Sequence, residues 1–128
     1  MADYRETVDY ILGIPLFAQK IGKENLSSLL CRLGNPEKAV PAIHVAGTNG
    51  KGSTCRALAQ MLAAQGYRVG LFISPHLVSI NERIQINGTN ISDDDFVSAF
   101  ETVKGQFMEH PSFFEVMFAM AAVYFRQQ

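Results

Sequence analysis

A glycine-rich turn near the middle of the chain has the residue types that bind phosphate. It reads Gly47-Thr48-Asn49-Gly50-Lys51-Gly52-Ser53-Thr54. Its glycines let backbone N–H groups approach phosphate oxygens closely, and a helix that begins in the turn adds the positive end of its dipole. Lys51 supplies a compact positive charge, and the hydroxyl of Ser53 or Thr54 can reach a magnesium ion. The turn therefore predicts a site for the phosphates of a nucleotide.

The turn departs in two places from the general phosphate-loop pattern G-x-x-x-x-G-K-[ST]. Val45 stands where the first glycine belongs, and Gly52 follows Lys51 in place of serine or threonine. The alternative is a glycine-rich turn with a solvated lysine. A bare Gly-Lys pair would be weak evidence for a phosphate site. Here the glycines, the lysine and the two hydroxyls lie in the predicted strand–turn–helix context, which favours phosphate binding.

The segments on both sides of the turn predict the elements that hold it. Residues 42–46 form an apolar run after Pro41 and indicate a buried strand. A helix is expected near 52–65, closed by Gly66, and a second strand at 69–73. Strand, turn, helix and strand in this order form a βαβ unit, which implies a parallel sheet with a right-handed crossover.

The remaining segments predict four helices and one more strand. The helices are expected at 4–12, at 24–33 with Gly34 as its stop, from 93 to about 107, and from 112 onward; the strand is expected at 83–86, after an irregular segment 74–82 and before a turn at Asn87-Gly88. The last helix is apolar on almost every side and should be buried on several faces. We therefore expect an α/β fold with a mainly parallel sheet flanked by helices. Because only three strands are recognised and the last helix ends without a cap, the domain is expected to be truncated.

Composition narrows the classes of function. The chain has 128 residues, 48% of them hydrophobic and 18% charged, with a net charge of -1. This is an ordinary one-domain composition, and no basic run predicts contact with nucleic acid or an acidic membrane. No apolar run approaches the ~20 residues that span a bilayer. The polar N-terminus is not that of a signal peptide, and Cys31 and Cys55 indicate reduced thiols in the cytoplasm.

Four segments resemble one family. Residues 43–53, followed by Met61-Leu62 and Gly66, are similar to the signature of folylpolyglutamate synthases, which belong with the Mur ligases. In that superfamily the loop reads G-T-N-G-K, so both departures noted above are the family's own form. The other matching segments are Phe72-Ile73-Ser74-Pro75-His76-Leu77, Asn81-Glu82-Arg83-Ile84 and Ser112-Phe113-Phe114-Glu115. The resemblance runs from about residue 4 to the end of the chain.

The resemblance implies an ATP-dependent ligase. A carboxylate of folate or dihydropteroate attacks the γ-phosphate of ATP, and the amino group of L-glutamate then displaces phosphate from the acyl phosphate. Such catalysis depends mostly on positioning and on charge neutralisation by lysine and Mg²⁺. The chain would be the N-terminal part of the ATP-binding domain, of the Mur ligase central-domain type, without its C-terminal domain. Whether dihydrofolate synthase activity is also present stays open, since Ala18-Gln19-Lys20-Ile21 matches the relevant segment of bifunctional relatives poorly.

The resemblance also implies roles for single residues. Gly47 through Thr54 would bind ATP, with Lys51 as the catalytic charge, and Ser74 would be a magnesium ligand. The family's other metal ligands are a glutamate in an E-V-G-x-G-G motif and a later histidine, and neither motif occurs here. We therefore expect the chain alone to turn over little. The exposed sheet edge and the apolar last helix are expected to drive its self-association. His76 and residues 112–115 would lie near the substrate.

Simpler interpretations exist for several of these residues. Ser74 is also a common turn former before proline. Ser112 and Glu115 have the spacing of a capping box, which is compatible with substrate contact. Phe113 and Phe114 are expected in the core, although one of them can stack on a pterin ring. His76 is expected to have an orienting role.

Two other functions remain open at this stage. One is a Mur-type ligase acting on a cell-wall precursor, which Ser74-Pro75-His76-Leu77 argues against. The other is a non-catalytic segment that binds phosphate only, which a turnover assay would distinguish.

Overall fold

Helix caps and glycine stops set the limits of several helices in the computed structural model. The structure describes residues 3–14, 23–43, 51–74, 76, 78–107 and 111–128. The described residues form an α/β structure with two compact units, Met1–Val40 with Asp93–Gln128, and Pro41–Ser92. In the described part of the chain, no helix is long and apolar enough to cross a membrane.

The first unit is helical. It contains α1 (Tyr4–Leu12), α2 (Lys23–Arg32), a 3₁₀ helix (Pro36–Lys38), α4 (Asp93–Lys104) and α5 (Phe113–Gln127). Helix α5 packs against α4, α1, α2 and the 3₁₀ helix. Most of its apolar residues are buried, as its sequence predicted, and they form a core with residues of α1 and α4: Ile11, Phe96, Phe100, Val116, Met117 and Met120.

The C-terminal end of α2 is held by its own turn and by two arginines. Gly34 has a φ of 87°, in the left-handed region, and the N–H of Asn35 donates to the carbonyl of Leu30 at 2.8 Å. These are the marks of a Schellman stop, so the predicted end at Gly34 is confirmed. Arg126 of α5 donates to the Leu33 carbonyl, and Arg32 Nε donates to the carbonyl of Gln106, each at 2.8 Å.

The second unit holds α3 (Lys51–Ala64) and a three-stranded sheet of β1 (Gly70–Phe72), β2 (Ile84–Ile86) and β3 (Thr89–Asn90), in the order β1-β2-β3. Leu71 lies opposite Gln85, and Gln85 lies opposite Asn90. The predicted turn joins β2 to β3, with positive φ at Asn87 (49°) and Gly88 (81°). Positive φ at both positions matches the hairpin turn whose twist suits the flanking strands.

The described strands pair differently from the predicted parallel sheet. Both pairings in the second unit are antiparallel. The pairing of β2 with β3 follows from the two-residue turn between them, which can return a strand only in the opposite direction. Residues 41–43 are not in a strand, and residues 44–46 of the predicted first strand lie outside the described residues. The parallel pairing of that strand with residues 69–73 stays a prediction.

The start of β2 and the end of α4 also differ from the predicted boundaries. Arg83 was predicted in a strand, but it closes a second 3₁₀ helix, Ile80–Arg83, which begins in the segment predicted to be irregular. The cause is a capping box formed by Ser79 and Glu82, which favours a helical turn. Helix α4 ends at Lys104, three residues before the predicted limit, where Gly105 and Gln106 form a turn.

Candidate functional site

Helix α3 begins at Lys51, within the glycine-rich segment 47–54. This confirms the predicted helix start, where free backbone N–H groups and the positive end of the helix dipole favour an anion. Residues Gly47, Thr48, Asn49 and Gly50 lie outside the described residues, as does the side chain of Lys51. Ser53 and Thr54 are exposed in the first turn of α3.

Ser74 follows the end of β1 and is exposed. The residue before it is fixed, because the N–H of Ile73 donates to the carbonyl of Arg83 at 3.0 Å. Among the described residues, no three His, Cys, Asp or Glu side chains come together as a metal site. The structure therefore leaves Ser74 as an exposed hydroxyl at a strand end, and its role as a magnesium ligand stays a prediction.

His76 is half-buried and accepts a hydrogen bond from an arginine. Arg83 Nε donates to Nδ1 of His76 at 2.8 Å. Desolvation by burial lowers the pKa of His76, the nearby charge of Arg83 lowers it further, and Glu82 opposes both effects. The ring is therefore favoured in its neutral form.

Glu82 anchors the short helix that carries Arg83. Its Oε2 accepts from the backbone N–H groups of Val78 and Ser79, at 2.9 and 2.8 Å. Asn81 is buried and donates from Nδ2 to the carbonyl of Ile91 at 2.8 Å. Burial also lowers the pKa of Arg83. Hydrogen bonds thus hold three consecutive side chains, Asn81, Glu82 and Arg83, in the segment that resembles the family's E-R motif.

Ser112 and Glu115 form the predicted capping box at the start of α5. The Ser112 N–H donates to Oε1 of Glu115 at 2.7 Å, and the Glu115 N–H donates to Oγ of Ser112 at 3.2 Å. Both residues are buried. Capping is therefore confirmed for Glu115, while its contact with substrate stays a prediction.

The two phenylalanines between these residues differ in environment. Phe113 is buried in the core as predicted, but Phe114 is 48% exposed, so the prediction of a core position is wrong for Phe114. Adjacent residues in a helix point in different directions and do not share one face. The ring of Phe114 stacks on Phe118, with centroids 6.0 Å apart.

Other predicted positions have less definite outcomes. Residues 18–21 lie outside the described residues. Cys31 and Cys55 are both free thiols; Cys31 is exposed and Cys55 half-buried. The structure brings His76 and Arg83 together and, separately, Ser112 and Glu115, but each pair belongs to a different compact unit.

Sequence reasoning missed the contact between Arg83 and His76. A usable signal was present, because Ser79-Ile80-Asn81-Glu82 has the capping-box spacing that indicates a helical turn. That turn brings Arg83 back toward the end of β1.

No protein-family model matches the chain. Its sequence is 40% identical to the dihydrofolate synthase/folylpolyglutamate synthase of Bacillus subtilis, over 97% of this chain and 30% of that protein. The folylpolyglutamate synthase of Thermotoga maritima has a similar structure, with a TM-score of 0.90 and 42% identity over 97% of this chain and 30% of that one.

Two solved complexes are also similar. One is a folylpolyglutamate synthase with AMPPCP and folate (TM-score 0.90, 40% identity, 98% of this chain and 33% of that one). The other is a bifunctional folylpolyglutamate synthase/dihydrofolate synthase with Mn, AMPPNP and L-glutamate bound (TM-score 0.88, 31% identity, 99% and 31%).

All of these proteins are synthases of folate derivatives. The chain is homologous to the folylpolyglutamate synthase and dihydrofolate synthase family over nearly its whole length. It spans about 30% of the length of the relatives named above.

Proposed function

We propose that this chain supplies the phosphate-binding part of an ATP-dependent ligase that adds L-glutamate to folates. The observation that carries the proposal is its 40% identity and TM-score of 0.90 to a folylpolyglutamate synthase in complex with AMPPCP and folate. The start of α3 at Lys51 supports it, because a helix N-terminus directly after a glycine-rich turn favours a phosphate group.

The proposed reaction has two steps. A carboxylate oxygen of the folate attacks the γ-phosphorus of ATP, and the bond to the ADP oxygen breaks, which gives an acyl phosphate and ADP. The glutamate nitrogen then attacks the acyl carbon, phosphate leaves, and the nitrogen loses a proton as the amide forms. Residues 47–54 hold the nucleotide phosphates in this proposal, and Lys51 neutralises the charge that develops during transfer.

The chain's own oxygen donors fit a magnesium ion, which prefers hard oxygen ligands. Ser74 provides one exposed hydroxyl, and Ser53 and Thr54 in the first turn of α3 provide two more. Bound there, magnesium would neutralise phosphate charge. The hydroxyls would help to hold it, and the exposed position of Ser74 leaves its oxygen accessible.

We propose further that residues 1–128 are the N-terminal part of the ATP-binding domain and that a parallel strand precedes the phosphate loop. The substrate is a folate or dihydropteroate, with His76 and residues 112–115 near it. The free thiols of Cys31 and Cys55 support a cytoplasmic location. Little turnover and some self-association are expected from this chain alone.

A binding experiment tests the proposal directly. AMPPCP is titrated into the chain by calorimetry at low salt, with Lys51→Ala and with Lys38→Ala as a matched control at an exposed lysine of the other unit. We expect Lys51→Ala to weaken binding at least tenfold and Lys38→Ala to leave it unchanged. Equal affinities for all three proteins would refute the phosphate site.

A second titration distinguishes the substrate class. Tetrahydrofolate and a UDP-sugar cell-wall precursor are added separately to the chain with AMPPCP present. Binding of the pterin alone supports the folate assignment, and binding of the UDP-sugar alone would indicate a cell-wall ligase. If neither binds while AMPPCP does, the chain is a phosphate-binding segment without a substrate site of its own.

A further inference from the structure

Arg83 holds the chain on both sides of Ser74. Its backbone carbonyl accepts the N–H of Ile73 at 3.0 Å, and its Nε donates to Nδ1 of His76 at 2.8 Å. The residue before Ser74 and the residue two positions after it are therefore fixed by one arginine.

The hydrogen bond determines which ring nitrogen of His76 carries hydrogen. A guanidinium group has N–H donors and no acceptor, so the His76 nitrogen that faces it must offer a lone pair. The hydrogen of the neutral ring is then on Nε2. A ring held in this way is a donor at Nε2 and has no free lone pair at Nδ1.

We propose that Arg83 is a positioning residue that holds His76 as a neutral hydrogen-bond donor, through Nε2–H, to an anionic oxygen bound beside Ser74. This inference rests on the proposed function and assigns His76 a binding role in it, not that of a general base. The anionic oxygen belongs to a phosphate or a carboxylate. The bonds from Val78 and Ser79 to Glu82 make the arrangement rigid, because they fix the short helix that carries Arg83.

The first test is the tautomer of His76 in the ligand-free chain. Two-bond ¹H–¹⁵N correlation spectra of the labelled protein, recorded where the ring is neutral, distinguish protonated from unprotonated ring nitrogens. The chain has three histidines, and loss of signals in His76→Asn assigns the ring. We expect a protonated Nε2 and a hydrogen-bonded, unprotonated Nδ1.

Variants then test the role of Arg83. In Arg83→Met both nitrogen shifts should move to those of histidine in a short peptide, and Arg83→Lys should restore them in part. Arg56→Met is the matched control, at an exposed arginine of α3 in the same unit. A proton on Nδ1 in the unchanged protein overturns the proposal, whether or not Arg83→Met folds. Unaltered shifts in a folded Arg83→Met also overturn it.

The second test is the anion. Inorganic phosphate and L-glutamate are titrated separately while the Nε2 signal is followed. A shift of Nε2 with one of them identifies the source of the oxygen, and the shift should be smaller in Arg83→Met. No movement with either overturns the donor role. Failure of the Lys51→Ala binding test would remove the proposed function without altering the tautomer measured in the ligand-free chain, so the two failures are distinguishable.

Discussion

Glu115 and Ser112 close a reciprocal pair of hydrogen bonds at the start of α5, with the shorter one, 2.7 Å, running from the Ser112 N–H to Oε1 of Glu115. A helix start leaves backbone N–H groups without partners in the helix. Both residues are buried, so water is a poor substitute for either partner. The pair therefore stabilises the first turn of a helix that contributes many buried apolar residues to the core of its unit.

Glu115→Ala should lower the free energy of unfolding by about 1 kcal/mol or more, the usual contribution of a helix cap. Glu115→Gln is the matched control, because glutamine at this position of a capping box can also accept the N–H. Urea unfolding of both variants, followed by circular dichroism, measures the difference. Equal losses in the two variants would show that the charge of Glu115 matters more than the cap.

Gly34→Ala should destabilise the first unit by about 1–2 kcal/mol, because a side chain is strained in the left-handed region. A Cβ at this position would also lie 3.2 Å from Nη1 of Arg126, tighter than an ordinary contact. Gly105→Ala is the control, since the nearest atoms to its Cβ lie at 3.6 and 3.7 Å. Thermal unfolding should show a clear loss for the first variant only; similar melting temperatures would contradict the Schellman stop.

The pKa of His76 should lie below the ordinary value of about 6.5 in the folded chain, because burial and Arg83 disfavour the imidazolium. The unfolded chain then binds more protons between the folded pKa and 6.5, so the free energy of unfolding rises with pH across that window. An NMR titration of the His76 ring, with the urea-unfolded chain as reference, measures the shift.

Arg83→Met removes one of the two causes of the lowered His76 pKa, the nearby charge of Arg83. The midpoint of the His76 titration should therefore rise toward that of the unfolded chain. Arg56→Met should leave the midpoint in place. A midpoint at or above that of the unfolded reference in the unchanged protein would be incompatible with the observed environment of the ring.

Ser74→Ala should raise the magnesium concentration needed for half-maximal ligase rate, in a form of the protein that carries the full reaction. The expected change is several-fold, because one oxygen ligand is lost while the phosphate loop is retained. Ser98→Ala, at an exposed serine of α4, is the control. An unchanged magnesium dependence in Ser74→Ala would assign this serine to the turn alone.

Short-range signals predicted the helices well. Gly34 marked the end of α2, Ser112 and Glu115 marked the start of α5, and the apolar faces predicted burial. Each of these features depends on residues within one turn of each other, so the sequence pattern is sufficient to predict them.

Strand pairing and side-chain contacts were harder to predict. The antiparallel pairing of β1 with β2 joins segments separated by the short helix Ile80–Arg83, and periodicity within each segment does not specify a partner. The bond from Arg83 to His76 likewise depends on where that helix directs its last side chain. The phosphate loop was recognised by composition and context, and only its helix start is described by the structure.

The hydrogen bond between the Ile73 N–H and the Arg83 carbonyl also affects the entropy cost of binding a ligand beside Ser74. Ordering one residue's backbone costs roughly 1–2 kcal/mol of conformational entropy, and here that cost is met at positions 73 and 83 when the chain folds. A ligand that binds beside Ser74 then has less of the neighbouring chain to immobilise. Such preorganisation raises affinity without adding any contact to the ligand.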